Sequence, residues 1–315
     1  MPGIPLGGQP YRFSLSLRAG LLSGAAYEEV YRSAERDQFL SELTWEVKPL
    51  YYGGVCLEFG QENPRLRAGF FTRLDLKTGL PGVTGVMEDR DWLGRTADGG
   101  NTGLSHFSSH TNTLRQFVAL DFQAGLSFPL GGSFVLRCLG GGSAMHLYWE
   151  ASDGYTQYGM SLSGALSPGV LDDVHELWSP SLPKVPVYGL GISYVQDWVV
   201  FHLGLGLGYS RGPWAVDLLF LGSVLTFCRD YDIHHHRDIE FIGFYVLAFF
   251  GEPSIRISRT LIPGLEADLA LSYRWLEKAQ GKAVINYLNT GAKGENYGGA
   301  SYAAFDLSLG FRVTL

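Results

Sequence analysis

Two short acidic runs hold the residues best suited to chemistry. The first is Asp89-Arg90-Asp91-Trp92, inside Val86–Gly94. The second is Asp230-Tyr231-Asp232-Ile233-His234, inside Cys228–Asp238. On a strand, residues i and i+2 point to the same side. Asp89 would then share a face with Asp91, Asp230 with Asp232, and Asp232 with His234. Two carboxylates on one face repel each other unless something between them uses the field. An Asp beside a His can fix its tautomer and stabilise the imidazolium form. With an acid pair on one side and an Asp–His pair on the other, the four groups could hold a water. His234 would be the general base, and the facing acids would position the nucleophile. Other readings stay open on the residues alone. A turn would hold Asp89 and Asp91 in solvent. Taken alone, the His234–Asp238 run reads first as a solvated loop, and last as a metal site if three ligands converged, since neighbouring histidines on a strand alternate faces.

What must carry these runs follows from composition and periodicity. The chain has 315 residues, enough for a large core or a large closed sheet. Only 17% are charged, against about 25% in an ordinary soluble protein, while glycines number 42 and aromatics reach 14%. The net charge of -7, with no basic patch, excludes nucleic acid as a partner and favours cationic ligands. Cys56, Cys138 and Cys228 lie far apart, with neither CxxC nor zinc spacing, and read as small buried or lipid-facing residues. No run reaches the roughly 18 apolar residues of a transmembrane helix. The opening MPGIPLGGQPYRFS lacks a charged segment followed by an apolar one, so a signal peptide is expected to be either removed or absent.

The dominant pattern is strict alternation. Val118, Leu120, Phe122, Ala124, Leu126 and Phe128 alternate with Asp121, Gln123, Gly125 and Ser127. Leu265 to Trp275 and Phe305 to Leu315 repeat the rhythm, with Asp268, Arg274, Asp306 and Arg312 on the second face. Long apolar faces opposite polar faces with acids and bases indicate a transmembrane β-barrel, apolar outward and polar inward. Spanning strands of about 9–11 residues fit these segments. Short joints at Gly60–Arg65, Pro129–Ser133, Tyr209–Trp214 and Ile262–Leu265 alternate with longer polar segments. Those are Asp89–Asn112, Glu150–Pro183, Asp230–Asp238 and Glu277–Gly299. The expected architecture is a ten-stranded antiparallel barrel over residues 11–315, with long extracellular loops and an N-terminal tail at residues 1–10. Both acidic runs then sit at the outer rim. Gly204–Gly212, which imitates a nucleotide loop, reads as a Gly-lined strand face because its glycines recur at i+2.

On these residues the chain resembles the omptin family, outer-membrane endopeptidases of Gram-negative bacteria. The family's Asp-x-Asp-Trp is matched at Asp89–Trp92, and its Asp-x-Asp-x-His at Asp230–His234. Its N-terminal pattern is matched at Leu22, Ser23, Gly24, Glu28, Val30 and Tyr31, then at Ser41, Leu43 and Trp45. A Ser-x-His element is matched at Ser108 and His110. The likeness runs from about Tyr11 to the C-terminus. It implies a ten-stranded barrel with its site in an extracellular groove. It also implies that Asp89 and Asp91 position water, that His234 is the base oriented by Asp232, and that Glu28 and Asp230 line a pocket for Arg or Lys before the scissile bond. No metal or organic cofactor is implied. The expected partners are peptides or proteins with basic residues and outer-membrane lipid, and a monomer is expected.

Two features depart from the family. The acid that favours a basic residue after the scissile bond falls near His106. The lipopolysaccharide-binding set of Tyr, Glu and Arg is not found in Gly141–Trp149, and its arginine partner on the next strand is replaced by Asp197, a repelling acid. Weak stimulation by that lipid is therefore expected. The alternatives to a protease are a catalytically silent porin or adhesin, and a soluble ligand-binding barrel.

Overall fold

The computed structural model describes residues 11–32, 39–63, 68–93, 103–159 and 177–315. The expected tail at residues 1–10 lies outside them. Among the described residues, twelve antiparallel strands account for most of the chain: β1 (Tyr11–Tyr31), β2 (Phe39–Asn63), β3 (Ala68–Gly79), β4 (Gly82–Asp91), β5 (His106–Gly131), β6 (Phe134–Tyr158), β7 (Val185–Arg211), β8 (Trp214–His234), β9 (Ile239–Val246), β10 (Phe250–Ile262), β11 (Leu265–Tyr287) and β12 (Lys293–Thr314). β1 pairs with both β12 and β2, which closes the ring. β4 continues the line of β3, and β9 that of β10, so the twelve strands form ten staves. Closure leaves no unpaired edge.

The two interruptions have local causes. Pro81, between β3 and β4, has no N–H to give to a ladder. The backbone left over is satisfied by side chains: Thr84 Oγ1 and Asn112 Nδ2 donate to the Glu46 carbonyl at 3.0 and 2.7 Å. Between β9 and β10, Leu247 adopts a φ of 60°. There Thr226 Oγ1 accepts from the Ala248 amide at 2.7 Å and donates to its carbonyl at 3.0 Å, standing in for the missing rungs.

Side chains follow the period of two. Leu120, Phe122, Leu269, Leu271, Phe305 and Leu309 face outward and are exposed, whereas Gln123, Asp268 and Asp306 face inward and are buried. These outward residues form an apolar band at the end of the barrel where β5–β6, β7–β8 and β10–β11 join by tight turns. At two of those turns Gly212 and Gly264 have φ of 59° and 80°, which L-residues resist. Gly204, Gly206 and Gly208 lie on the inner face of β7, as the i+2 spacing indicates.

The long polar segments are where the structure corrects the sequence reading. In the described parts of Asp89–Asn112, Glu150–Pro183 and Glu277–Gly299, the chain continues as strand: β4 and β5, β6, and β11 with β12. The strands reach 27 residues in β7, far more than a bilayer requires. The wall therefore stands well above the apolar band. Hydropathy missed this because residues on both faces of the upper wall are mixed, so the period of two carries no polarity signal there.

The interior is layered. At the base of the upper wall, Trp45, Trp149, Trp198, Tyr194, Tyr302 and Phe250 fill the cross-section, each under 3% exposed. The Tyr194 ring stacks on Trp45 and Trp149 with centroids 5.1 and 5.8 Å apart. Below this plug lies a charged lumen with a cavity of about 780 Å³. Its acids are matched by bases: Arg18 and Arg73 on Asp75 at 2.7 and 2.8 Å, Lys77 on Asp306 at 2.5 Å, and Arg274 on Glu252 at 2.6 Å. Arg73, Arg256 and Arg312 all approach Glu58.

Candidate active site

Above the aromatic plug, strand register gathers the sequence-selected acids. Glu28 of β1 lies opposite Leu43 of β2, Leu43 opposite Asp89 of β4, and Asp89 opposite Ser108 of β5. These residues form one horizontal row along the wall. One step higher, Asp91 lies opposite His106, which lies opposite Tyr158 of β6. On the other side, β8 carries Asp230, Asp232 and His234 up its inner face. β9 sets Gly243 opposite Asp230 and Phe241 opposite Asp232. Glu28, Asp89, Asp91, Asp230 and Asp232 are all buried. Glu88 and Arg90 point away from the groove and pair with each other.

The i, i+2 pairing of Asp232 and His234 is realised as a 2.8 Å hydrogen bond between Oδ2 and Nε2. With Nε2–H given to Asp232, Nδ1 is the ring nitrogen left to accept a proton. Phe241 meets the His234 ring edge-on, with centroids 5.5 Å apart, and limits its rotation. Burial works against a charged His234, but the Asp232 carboxylate overcomes it and raises the pKa above the ordinary histidine value.

The carboxylates respond to one another. Burial, then Asp91, pushes Asp89 up to about 7, against the opposing pull of His234 and Arg237. Ser41 Oγ donates to its Oδ1 at 3.2 Å. Burial lifts Asp230 to about 7, opposed by a hydrogen bond from Tyr245 and reinforced by Asp232. Burial, followed by Asp232, Asp230 and Asp89, holds Glu28 well above the carboxylate range. All three groups thus hold their protons to higher pH than ordinary carboxyls, and an entering cation would favour their release. Glu28 Oε2, Asp230 Oδ2 and Asp232 Oδ1 are buried without a hydrogen-bond partner.

Several groups at the site were not singled out from the sequence. Arg237, in the β8–β9 turn, lies within the field of Asp91 and Asp89 and hydrogen-bonds the Tyr158 hydroxyl. Its turn is closed by its amide on the His234 carbonyl at 3.1 Å. Tyr245 and Phe241 belong to β9, whose run reads only as apolar. No periodicity rule gives the direction of a turn residue or the partner of a buried tyrosine, so these signals were not available. Ser108 and His110, noted only as a motif, form a pair: Nδ1 of His110 donates to the Asp153 carbonyl at 2.6 Å, and Nε2 accepts from Ser108 Oγ at 3.0 Å.

The adjacent histidines diverge. His234 faces the groove, while His235 meets Ser193 Oγ at 3.0 Å. Among the described residues no His, Cys, Asp or Glu grouping could hold a metal. His106 packs against Tyr158 with centroids 4.6 Å apart, and its Nδ1 lies 2.8 Å from Ser105 Oγ. On the outer wall, one reading is corrected. Asp197 is not a bare repelling acid, since His146 and Arg229 meet it at 2.6 and 2.7 Å. A Tyr/Glu/Arg cluster also exists, because Arg115 of β5 reaches Glu150 at 2.6 Å beside the Tyr148 hydroxyl at 2.8 Å. A pattern sought along one strand could not reveal an arginine supplied by its neighbour.

The family model for the omptin family matches residues 9–315. No curated protein is similar enough in sequence to match the chain. The crystal structure of the outer membrane protease OmpT from Escherichia coli is similar in fold, with a TM-score of 0.78 at 16% identity, covering 96% of this chain and 97% of that one. The outer membrane protein OprG from Pseudomonas aeruginosa covers 96% and 95% at 8% identity, with a TM-score of 0.36. The translocator domain of NalP from Neisseria meningitidis covers 99% and 90% at 8% identity, also at 0.36. At such scores the last two carry no argument.

Proposed function

We propose that this chain, which belongs to the omptin family, is an outer-membrane endopeptidase hydrolysing bonds that follow Lys or Arg, with a water activated between Asp232–His234 and Asp89–Asp91. The observation that carries this reading is an adjacency. Buried, unpartnered oxygens on Glu28, Asp230 and Asp232 gather beside the imidazole that would accept a proton from water. A basic side chain entering that pocket supplies the missing charge and brings its carbonyl beside His234.

In this mechanism His234 Nδ1 takes a proton as the water oxygen attacks the carbonyl carbon. Asp232 stabilises the resulting imidazolium. Asp89, its pKa raised to about 7, donates a hydrogen bond toward the developing negative charge while it holds its proton. His234 then gives its proton to the departing amine as the C–N bond breaks.

The Ser108–His110 hydrogen bond favours a second reading, in which Ser108 is the nucleophile. The two differ in kinetics: a serine route accumulates an acyl-enzyme burst, and the water route does not. The groove is proposed to face the cell exterior, because the tight turns lie at the opposite end, as in outer-membrane barrels. The chain is proposed to act as a monomer, since one chain closes the ring. The test uses detergent-refolded protein, with and without lipid A, on a peptide library with products mapped by mass. Cleavage after Lys and Arg, abolished by His234→Ala, is expected; cleavage indifferent to the preceding residue would remove the pocket assignment.

A further inference from the structure

The pocket's free oxygens come one from each carboxylate. Glu28 Oε2, Asp230 Oδ2 and Asp232 Oδ1 are unpartnered. On two of the acids the companion oxygen is engaged. Asp232 Oδ2 holds His234 Nε2 at 2.8 Å. The Asp230 carboxylate is bonded by the Tyr245 hydroxyl. Tyr245 is buried, and its hydroxyl lies against both Gly243 and Gly298; a Cβ on either glycine would collide with it. The same Cβ at Gly243 would strike Asp230 Oδ1, which identifies Oδ1 as the oxygen beside the tyrosine. The two glycines clear a path for Tyr245 into the pocket.

From this geometry we propose that the pocket selects lysine over arginine and that Tyr245 sets the preference. The inference rests on the reading of this pocket as the site for the basic side chain before the cleaved bond. An ammonium carries three donors on one tetrahedral nitrogen and suits single acceptors from three directions. A guanidinium is a planar fork, best matched by both oxygens of one carboxylate. On Asp230 and Asp232 that match is blocked, because the tyrosine hydroxyl and the imidazole each hold one oxygen. The Tyr245 ring also occupies space at Asp230 that a longer side chain would need.

The test compares peptides identical except for Lys or Arg before the bond, using the full refolded chain. Wild type should favour Lys in kcat/KM by about tenfold, the scale of one charge-assisted hydrogen bond. Tyr245→Phe keeps the ring but removes the hydroxyl that bonds Asp230, and should lower the Lys/Arg ratio severalfold through faster cleavage after Arg. Tyr245→Ser, which also opens the floor, should lower it further. Competition by butylamine and butylguanidine on the unaltered protein reads the same preference without any substitution. A wild-type ratio of one or less, or a ratio unmoved by both folded variants, overturns the inference while leaving the basic pocket intact. Cleavage at sites with no preceding Lys or Arg overturns the pocket reading, and this inference with it.

Discussion

The upper groove and the lower lumen are two buried acidic interiors in one barrel, and they are managed in opposite ways. In the lumen, Asp75 is met by two arginines, Glu58 is approached by three, and Asp306 and Glu252 each receive a cation. Asp268 departs from this, having no partner for either oxygen. In the groove, Glu28 and Asp230 form no ion pair with a cation among the described residues; burial raises each, and the neighbouring acids raise it further. Buried charges left without counter-ions cost stability unless they keep their protons. A chain that compensates its acids in one half has the means to do so in the other. The uncompensated half is where a ligand's charge is expected, and the compensated half is where the wall is held together.

The largest expected effect lies in the groove. His234→Ala should lower kcat by about 10²–10⁴-fold while barrel formation on gels is unchanged. Asp89→Ala should act similarly, and the double variant should cost far less than the product of the two, because the groups act as one unit. Glu88→Ala, its side chain turned away from the groove, is the control. If it matches Asp89→Ala, the register that defines the site is wrong.

The next test breaks the comparison directly, through unfolding in urea at pH 7. Glu58→Ala leaves lumen arginines without their acid and should destabilise the barrel by about 3–5 kcal/mol. Glu28→Gln removes an uncompensated acid and should stabilise it, while erasing the preference for basic residues. If both destabilise alike, the two halves are not managed differently.

Titration should separate them more finely. Asp89 and Asp230 are raised to about 7 in the folded protein. The folded state therefore binds more protons than the unfolded chain between their ordinary values and about 7, and stability falls as pH rises through that window. His234 is raised as well, so its contribution is full below its unfolded value and is lost as pH rises through the folded one. Both trends have the same sign. Activity should run the other way, failing on the acid side at a pH above the ordinary histidine value as the base becomes protonated. Asp89→Asn should flatten the stability slope; a slope unchanged by it would remove Asp89 from the window. The smallest expected effect is at Phe241, whose ring meets the His234 ring edge-on. Phe241→Leu should lower kcat a few-fold with KM unchanged, and a KM effect alone would move Phe241 from positioning the base to binding substrate.

Much of this was legible before folding. Alternation at Val118–Phe128 and Phe305–Leu315 identified the spanning faces, because a lipid-facing side and a wet side impose opposite polarities on successive residues. The same rule grouped Asp89 with Asp91 and Asp232 with His234, since a shared face depends only on strand geometry. The height of the wall was not legible. Above the apolar band neither face meets lipid, so strands such as the upper halves of β6 and β11 read as loops.

Local sequence determined which residues could share a face, which faces could meet a membrane and which pairs could do chemistry, because those properties depend on neighbours two positions away. Periodicity could not decide that Glu28, from the first strand, lies among acids from the eighth; only the family likeness implied it before the tertiary structure. Tertiary structure alone decided that Arg237 faces Asp91, that Arg115 completes a cluster on another strand, and that Tyr245 passes two glycines to reach Asp230. Those contacts join residues as far apart in the chain as Glu28 and Asp232, and ring closure together with strand register, neither of which leaves a periodic trace in the chain, brings them together.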